Sequence, residues 1–381
     1  MKKNSLINNC VCFLAGIVLP QAAPAVARAD VFGRGAPVYS SPRAPEAPAI
    51  PDRAFTLDTL DAKSLNDLVD RVSREGGGHI KLPAGVFWLE SPVTLRSNVA
   101  LTGAGAGRTV FKRHGTFPVA GTFGGKTTGM LQARNQGIQN VLLKGFSIDG
   151  NWTGAELAKL MPNVMGILIS SDVAKGGKAR DYNRAVAIED VEVRNCGLGM
   201  HVKGATHLAI RNCHMRDNGP HMLWHNIYLR RVGVVLVEDS HIEGAMKGSG
   251  LKICGGTSTV ADESRHLVIR NNFIDANARN NLYVAGFDNV LVEGNTFSRQ
   301  RGAEQALLAG FYISDEHNRP AANLDIINNR FSGNASHGLH IVASARFHVA
   351  GNLSQGNGAE NYCIGAGNTS PWDCDYNDKL Q

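Results

Sequence analysis

From residue 141 onward the chain repeats one short pattern of apolar and polar positions: apolar, x, apolar, two polar residues, a polar or small residue, x, apolar. It appears as Val141-x-Leu143 to Ile148, Val186-x-Ile188 to Val193, Leu208-x-Ile210 to Met215 and Val235-x-Val237 to Ile242. It continues as Leu267-x-Ile269 to Ile274, Val290-x-Val292 to Phe297 and Leu324-x-Ile326 to Phe331, with a weaker copy from Phe347. Alternation with period two is the signature of strands.

Alignment of the copies puts Phe146, Val191, Cys213, Ser240, Asn272, Asn295, Asn329 and Asn352 in one register. The last four form an asparagine column, and stacked Asn side chains can hydrogen-bond along such a column. Successive members are 45, 22, 27, 32, 23, 34 and 23 residues apart. A coil of about 22 residues with inserted loops fits these steps, and the step of 45 has room for an extra coil. Gly and Asn punctuate the corners, where positive φ is needed. A propeller blade needs about four strands per 40–50 residues, more than each coil holds. The pattern predicts an all-β parallel β-helix whose stacked coils bury one continuous core.

Leu65, Leu68, Val69 and Val72 recur at helical spacing, which predicts a helix over 63–75 ahead of Gly76-Gly77-Gly78 and the strand-like 79–82. Such a helix would cap the open end of the stack and shield its edge.

Lys2, Lys3, the apolar segment 10–19 and Ala27-Arg28-Ala29 read as a secretory signal ending at residue 29. The apolar run is too short to span a membrane, which takes roughly 20 residues. The Pro/Ala-rich stretch 30–53 reads as a linker or extended arm, leaving 54–381 as one β-helical domain. These features predict a secreted or periplasmic protein without a membrane anchor. The formal charge of +6, from 39 Lys+Arg against 33 Asp+Glu, suits an anionic partner. With no polybasic block, nucleic acid is not expected. Cys363 and Cys374 are placed to pair in an oxidising compartment. Cys196, Cys213 and Cys254 lack zinc-site spacing and read as small core or surface residues.

A second strand follows each pattern copy: Met200-His201-Val202-Lys203, Ile227-Tyr228-Leu229-Arg230, Leu251-Lys252-Ile253-Cys254, Leu282-Tyr283-Val284-Ala285, Phe311-Tyr312-Ile313-Ser314 and Leu339-His340-Ile341-Val342. The apolar residues face inward, so the residue between them faces out. The outward column reads His201, Tyr228, Lys252, Tyr283, Tyr312, His340. One position on it begins Lys203, Arg230; one position back, Asn226 and Asn281 alternate with glycines. Insertions flank this strand at 152–165, 172–184, 219–225, 255–265, 299–306 and 315–322, bringing Trp152, His221, Trp224, His225 and His317 beside it. Inserted loops on one face of a repeat scaffold commonly build a site.

Two segments carry a resemblance. Glu75-Gly76-Gly77-Gly78-His79-Ile80-Lys81-Leu82-Pro83-Ala84-Gly85 and Ser97-Asn98-Val99-Ala100-Leu101-Thr102-Gly103-Ala104-Gly105 resemble the start of the pectate-lyase-like superfamily, in particular the catalytic module of mannuronan C5-epimerases. The likeness continues through Gly145-Phe146-Ser147-Ile148-Asp149-Gly150-Asn151 and covers roughly residues 60–355. It implies a single-stranded right-handed parallel β-helix with an N-terminal capping helix, acting on polysaccharide. The epimerases' Asp-Pro-His motif is replaced here by His201-Val202-Lys203, so their catalytic residues do not carry over.

β-Elimination of a uronate polymer needs a base for the C5 proton, cations or donors for the enolate-like intermediate and an acid for the leaving oxygen. Tyr228, Lys252, Tyr283, His201 and Arg230 are the candidate catalytic groups. Arg230 is able to grip a carboxylate bidentately. Lys203, Asn226, His225, His221, Asn281, Tyr312, His340 and Trp224 are the candidate substrate-binding residues. A glycosidase needs two carboxylates about 5–9.5 Å apart. The column has none; Glu304, Asp315 and Glu316 occur only near one end. The sequence therefore predicts a polysaccharide lyase for an acidic exopolysaccharide, with no cofactor and no metal. The alternatives are a C5-epimerase, a glycoside hydrolase and a non-catalytic glycan-binding or export protein.

Overall fold

The computed structural model describes residues 44–119, 127–134, 137–171, 182–254, 266–302, 308–314, 321–342 and 347–364. The expected signal, the arm up to residue 43, His317, Glu304, Asp315, Glu316 and Cys374 lie outside them.

The described residues form 28 strands and two helices. The strands pair in parallel with the equivalent strand one coil away, generating a right-handed parallel β-helix of three long faces. Sheet one contains the first half of each pattern copy, for example Val235–Glu238 paired with His266–Arg270. Sheet two contains the second half, as in His241–Glu243 against Phe273–Asp275. Sheet three contains the strands with the outward column, as in Ile227–Val232 against Leu251–Cys254.

The corner between sheets one and two explains the register. Each column member follows a residue of positive φ: Gly145, Asp190, Asn212, Asp239, Asn271, Gly294, Asn328 and Gly351. Left-handed backbone is open to Gly and comparatively cheap for Asn and Asp, which is why those types recur there. Just inside the corner, Asn272 Nδ2 donates to Asn295 Oδ1, Asn295 to Asn329, and Asn329 to Asn352, at 2.9, 2.9 and 3.0 Å. Each amide also reaches a backbone carbonyl, such as Val237 O for Asn272, so these buried polar groups are satisfied. Ile210, Val237, Ile269, Val292 and Ile326 stack below them, fully buried. Each such side chain contributes about 1.5–3 kcal/mol by leaving water.

One expectation needs correction. The step of 45 residues hides no extra coil: Gln139–Asp149 pairs directly with Asn183–Arg194, Val141 opposite Val186 and Phe146 opposite Val191. The additional length includes the sheet-three strand Val164–Ser170 and the helix Gly154–Leu160, which begins with a Thr153–Glu156 capping box. Coils also precede residue 141, ahead of the first full copy of the repeated pattern. Ala54–Thr56, Gly78–Lys81 and Val99–Thr102 are the first rungs of sheet one, and Gly85–Leu89 pairs with Thr109–Arg113 in sheet two.

The N-terminal helix spans Ala62–Arg74. Its N-cap, Asp61, accepts the Ser64 N–H at 2.7 Å. Leu65, Leu68, Val69 and Val72 are buried against the first coil, as the capping role requires. Ahead of it, 44–53 runs as an extended arm on the body. Glu46 pairs with Arg184 at 2.7 Å, its backbone N–H donates to His207 Nδ1 at 2.9 Å, and the Ala49 N–H donates to Asn140.

Candidate functional site

Pairing on sheet three brings the six outward residues into one line. His201 is opposite Tyr228, Tyr228 opposite Lys252, Lys252 opposite Tyr283, Tyr283 opposite Tyr312, and Tyr312 opposite His340. With rungs about 4.8 Å apart, the side chains touch. His201 stacks on Tyr228 with centroids 5.1 Å apart and planes 9° apart. Lys252 Nζ lies 5.8 Å from the Tyr228 ring and 4.5 Å from the Tyr283 ring. Tyr283 meets Tyr312 at 5.4 Å, and Tyr312 meets His340 edge-on at 5.1 Å.

The neighbouring outward column pairs Lys203 with Arg230 and continues as Cys254, Ala285 and Ser314. Positive charge is therefore concentrated at Lys203, Arg230 and Lys252, around Tyr228. Among the described residues, neither column contains a carboxylate.

His201 stands in this cationic corner with both ring nitrogens shielded from water and without a hydrogen-bond partner. Burial, reinforced by Arg230 and Lys203, pushes its pKa down to about 4. The imidazole is thus neutral near pH 7, with a lone pair able to accept a proton. At the far end burial, then His337, pushes His340 down to about 4.

The strip has a definite lower end. The rung before His201 carries Leu168. Trp224 folds over it, packing with Met165, Leu168 and Leu198, while Tyr228 and Met161 lean on the same cluster. Trp224 is only 6% exposed, so it plugs the end of the strip, correcting its expected role against sugar. His225 is also buried. Its Nδ1 accepts the Ser249 N–H at 2.9 Å, and its ring meets Tyr228 edge-on at 5.3 Å. It supports Tyr228 from beneath. Burial, then Lys252, Arg279 and His201, hold its pKa well below the usual range. His221 remains in the surface loop, its Nδ1 accepting the Leu223 N–H.

Asn226 and Asn281 also depart from expectation: both are fully buried and point into the coil. They belong to a second ladder, in which Nδ2–H donates to Oδ1 from Asn218 to Asn226, then to Asn277, Asn281, Asn334, Asn357 and Asn361. A visible signal was available: Asn277, Asn334 and Asn357 each stand five residues after Asn272, Asn329 and Asn352. Tyr312 and His340 occupy the outward column as expected but are each 3% exposed. Accessibility is thus centred on Lys203, Tyr228, Arg230, Lys252 and Tyr283, all partly exposed; His201 is partly exposed as a residue, with its two ring nitrogens covered.

Cys196, Cys213 and Cys254 are buried, and burial raises the Cys213 thiol to about 12. Trp152 is buried, with the Arg113 guanidinium 3.8 Å over its ring. Two described groups bring three potential metal ligands within 4.8 Å of one another: His337, His340 and Cys363 at the upper end of the strip, and His214, His241 and Glu243 on sheet two. No described helix is long and apolar enough to cross a membrane.

A family model described as "Right handed beta helix region" matches residues 164–371. Alginate lyase 7 of Azotobacter vinelandii is 27% identical over 172 residues, covering 42% of this chain and 18% of that protein. Mannuronan C5-epimerase AlgE3 of the same organism is 30% identical over 169 residues, 42% of this chain and 8% of that protein. The chain thus spans under a fifth of either curated relative it matches. Among solved structures, the Azotobacter vinelandii mannuronan C-5 epimerase AlgE6 A-module superposes with a TM-score of 0.61 at 23% identity, covering 80% of this chain and 75% of that one. At that identity the likeness speaks to the fold.

Proposed function

The chain belongs to the right-handed β-helix family, and from that premise we propose that it is a secreted or periplasmic enzyme that cleaves an acidic, uronate-containing polysaccharide by β-elimination. The observation that carries this reading is the in-register line His201–Tyr228–Lys252–Tyr283, with Lys203 and Arg230 beside it and no carboxylate on either column among the described residues. The names of the two curated relatives, an alginate lyase and a mannuronan C5-epimerase, support an acidic polysaccharide as substrate.

On this reading Arg230 and Lys203 hold the substrate carboxylate, which lowers the cost of forming negative charge next to it. His201, neutral and unpartnered, takes the C5 proton. Lys252 faces the enolate-like intermediate between two aromatic rings, and Tyr228 gives a proton to the departing glycosidic oxygen. The C5–H and C4–O bonds break, a C4=C5 double bond forms, and the two proton transfers balance.

The epimerase reading shares the first step and returns a proton to the opposite face of C5. Proton NMR of polymer after incubation separates the two. A lyase yields shorter chains with unsaturated non-reducing ends; inverted C5 configuration at constant chain length would contradict the lyase reading. Polymer retained unchanged by the protein would leave only a binding role.

A further inference from the structure

Sheet two bears a cluster that the strip does not use. His214 and His241 are opposite each other on adjacent rungs, and Glu243 follows His241 by two residues, on the same outward face. Their rings stack with centroids 4.7 Å apart and planes 5° apart. Both aim Nε2 at the same carboxylate: His214 Nε2 is 2.9 Å from Glu243 Oε1, and His241 Nε2 is 3.4 Å from Oε2.

We propose that His214, His241 and Glu243 are a binding site for a divalent transition-metal ion of the zinc class. Two imidazoles and one carboxylate make a donor set that suits zinc and its neighbours; calcium and magnesium prefer oxygen alone. Zinc sits about 2.0–2.2 Å from such ligands, which places ligand atoms about 3.4 Å apart around a tetrahedron. The His214 and His241 Nε2 atoms already lie 2.9 and 3.4 Å from the two oxygens of Glu243, and one ligand atom from each of the three residues is within 4.8 Å of the others. His χ2 is a broad torsion, so tipping the rings brings the three donors around one ion.

Three features prepare the site. His241 Nε2 has no hydrogen-bond partner and is shielded from water, although the side chain is 38% exposed. Phe273 packs on the His241 ring at 4.9 Å and steadies it. The side chains of His214 and Glu243 are 37% and 31% exposed, which leaves the remaining coordination position to water or a ligand from solution. An ion here also ties two successive rungs together outside the core.

The test is zinc titration of the chelator-treated full-length protein against a chromophoric competitor, with cobalt(II) absorption as a second readout. The expected result is one zinc equivalent and intense cobalt bands, with affinity weakened at least ~10-fold in both His241→Ala and Glu243→Gln. His337→Ala, in the other ligand group, keeps the site. Glu243→Gln is isosteric, so it remains informative if His241→Ala fails to fold. The proposal is overturned if the native protein takes up no zinc, if Glu243→Gln binds as tightly as the native protein, or if His337→Ala abolishes uptake.

Discussion

The ammonium of Lys252 lies 4.5 Å from the ring centroid of Tyr283, on adjacent rungs of sheet three. A cation over an aromatic face is held electrostatically, and this one is held with its charge along the strip. Lys252→Ala and Tyr228→Phe are each predicted to lower turnover by at least about 10²-fold, the scale for losing a proton-transfer or charge-stabilising group. Both side chains project away from the core, so unfolding free energy should move by less than about 1 kcal/mol. Steady-state kinetics with urea unfolding checks both halves; near-native turnover in both variants would remove these residues from the chemistry.

Tyr283, partly exposed and packed on the buried Tyr312 farther along the strip, is predicted to act on binding. Replacing it with Ala should raise KM more than it lowers kcat, as loss of interactions made equally in ground and transition states does. An equal fall in kcat and kcat/KM would move it into the reacting group.

The histidines make stability depend on pH. His201 and His340 are pushed to about 4 when folded, against an ordinary value near 6.5. Above that ordinary value both folded and unfolded chains hold these rings neutral, and the folded state has its full stability. As the pH falls from about 6.5 toward 4, the unfolded chain takes up protons that the folded chain does not, and stability is lost. Urea midpoints should therefore fall between pH 7 and pH 5, and His201→Gln should make the fall shallower. A His201→Gln profile identical to the native one would show that its ring is not the source.

The asparagine ladders are predicted to be structural. Asn295 accepts from the Asn272 backbone and side chain and donates to Asn329 and to Ile269 O. Asn295→Ala strands several of these buried partners, at about 1–3 kcal/mol for an unsatisfied group, so a loss of about 2–3 kcal/mol is expected with the folded-state spectrum retained. Urea unfolding measures it, and a change below about 0.5 kcal/mol would contradict the ladder's role.

The strip and the first ladder were legible in the sequence for the same reason. On a straight strand, alternation fixes which residues face out, and repetition fixes what stands above what. That is how His201 through His340 could be aligned without coordinates. Asn226 escaped because it precedes Ile227 at a corner, where the backbone turns and the two-residue alternation no longer applies; its amide swings inward to Asn277. Trp224 was equally opaque. Its burial depends on the loop 219–225 folding back onto Leu168 of another coil, a long-range contact with no local signature. The His214–His241–Glu243 cluster left only a His-x-Glu on one strand, uninformative until the pairing supplied the second imidazole.

The measurement that bears most directly on the central claim is ultraviolet absorbance of unsaturated uronate ends during incubation with a panel of uronate polymers, neutral polymers serving as controls. The account predicts a linear rise with at least one uronate polymer, none with the neutral ones, and a rate at least about 10²-fold lower for Lys252→Ala. Undiminished absorbance growth by Lys252→Ala, or polymer shortening by the native protein without any unsaturated ends, would contradict it.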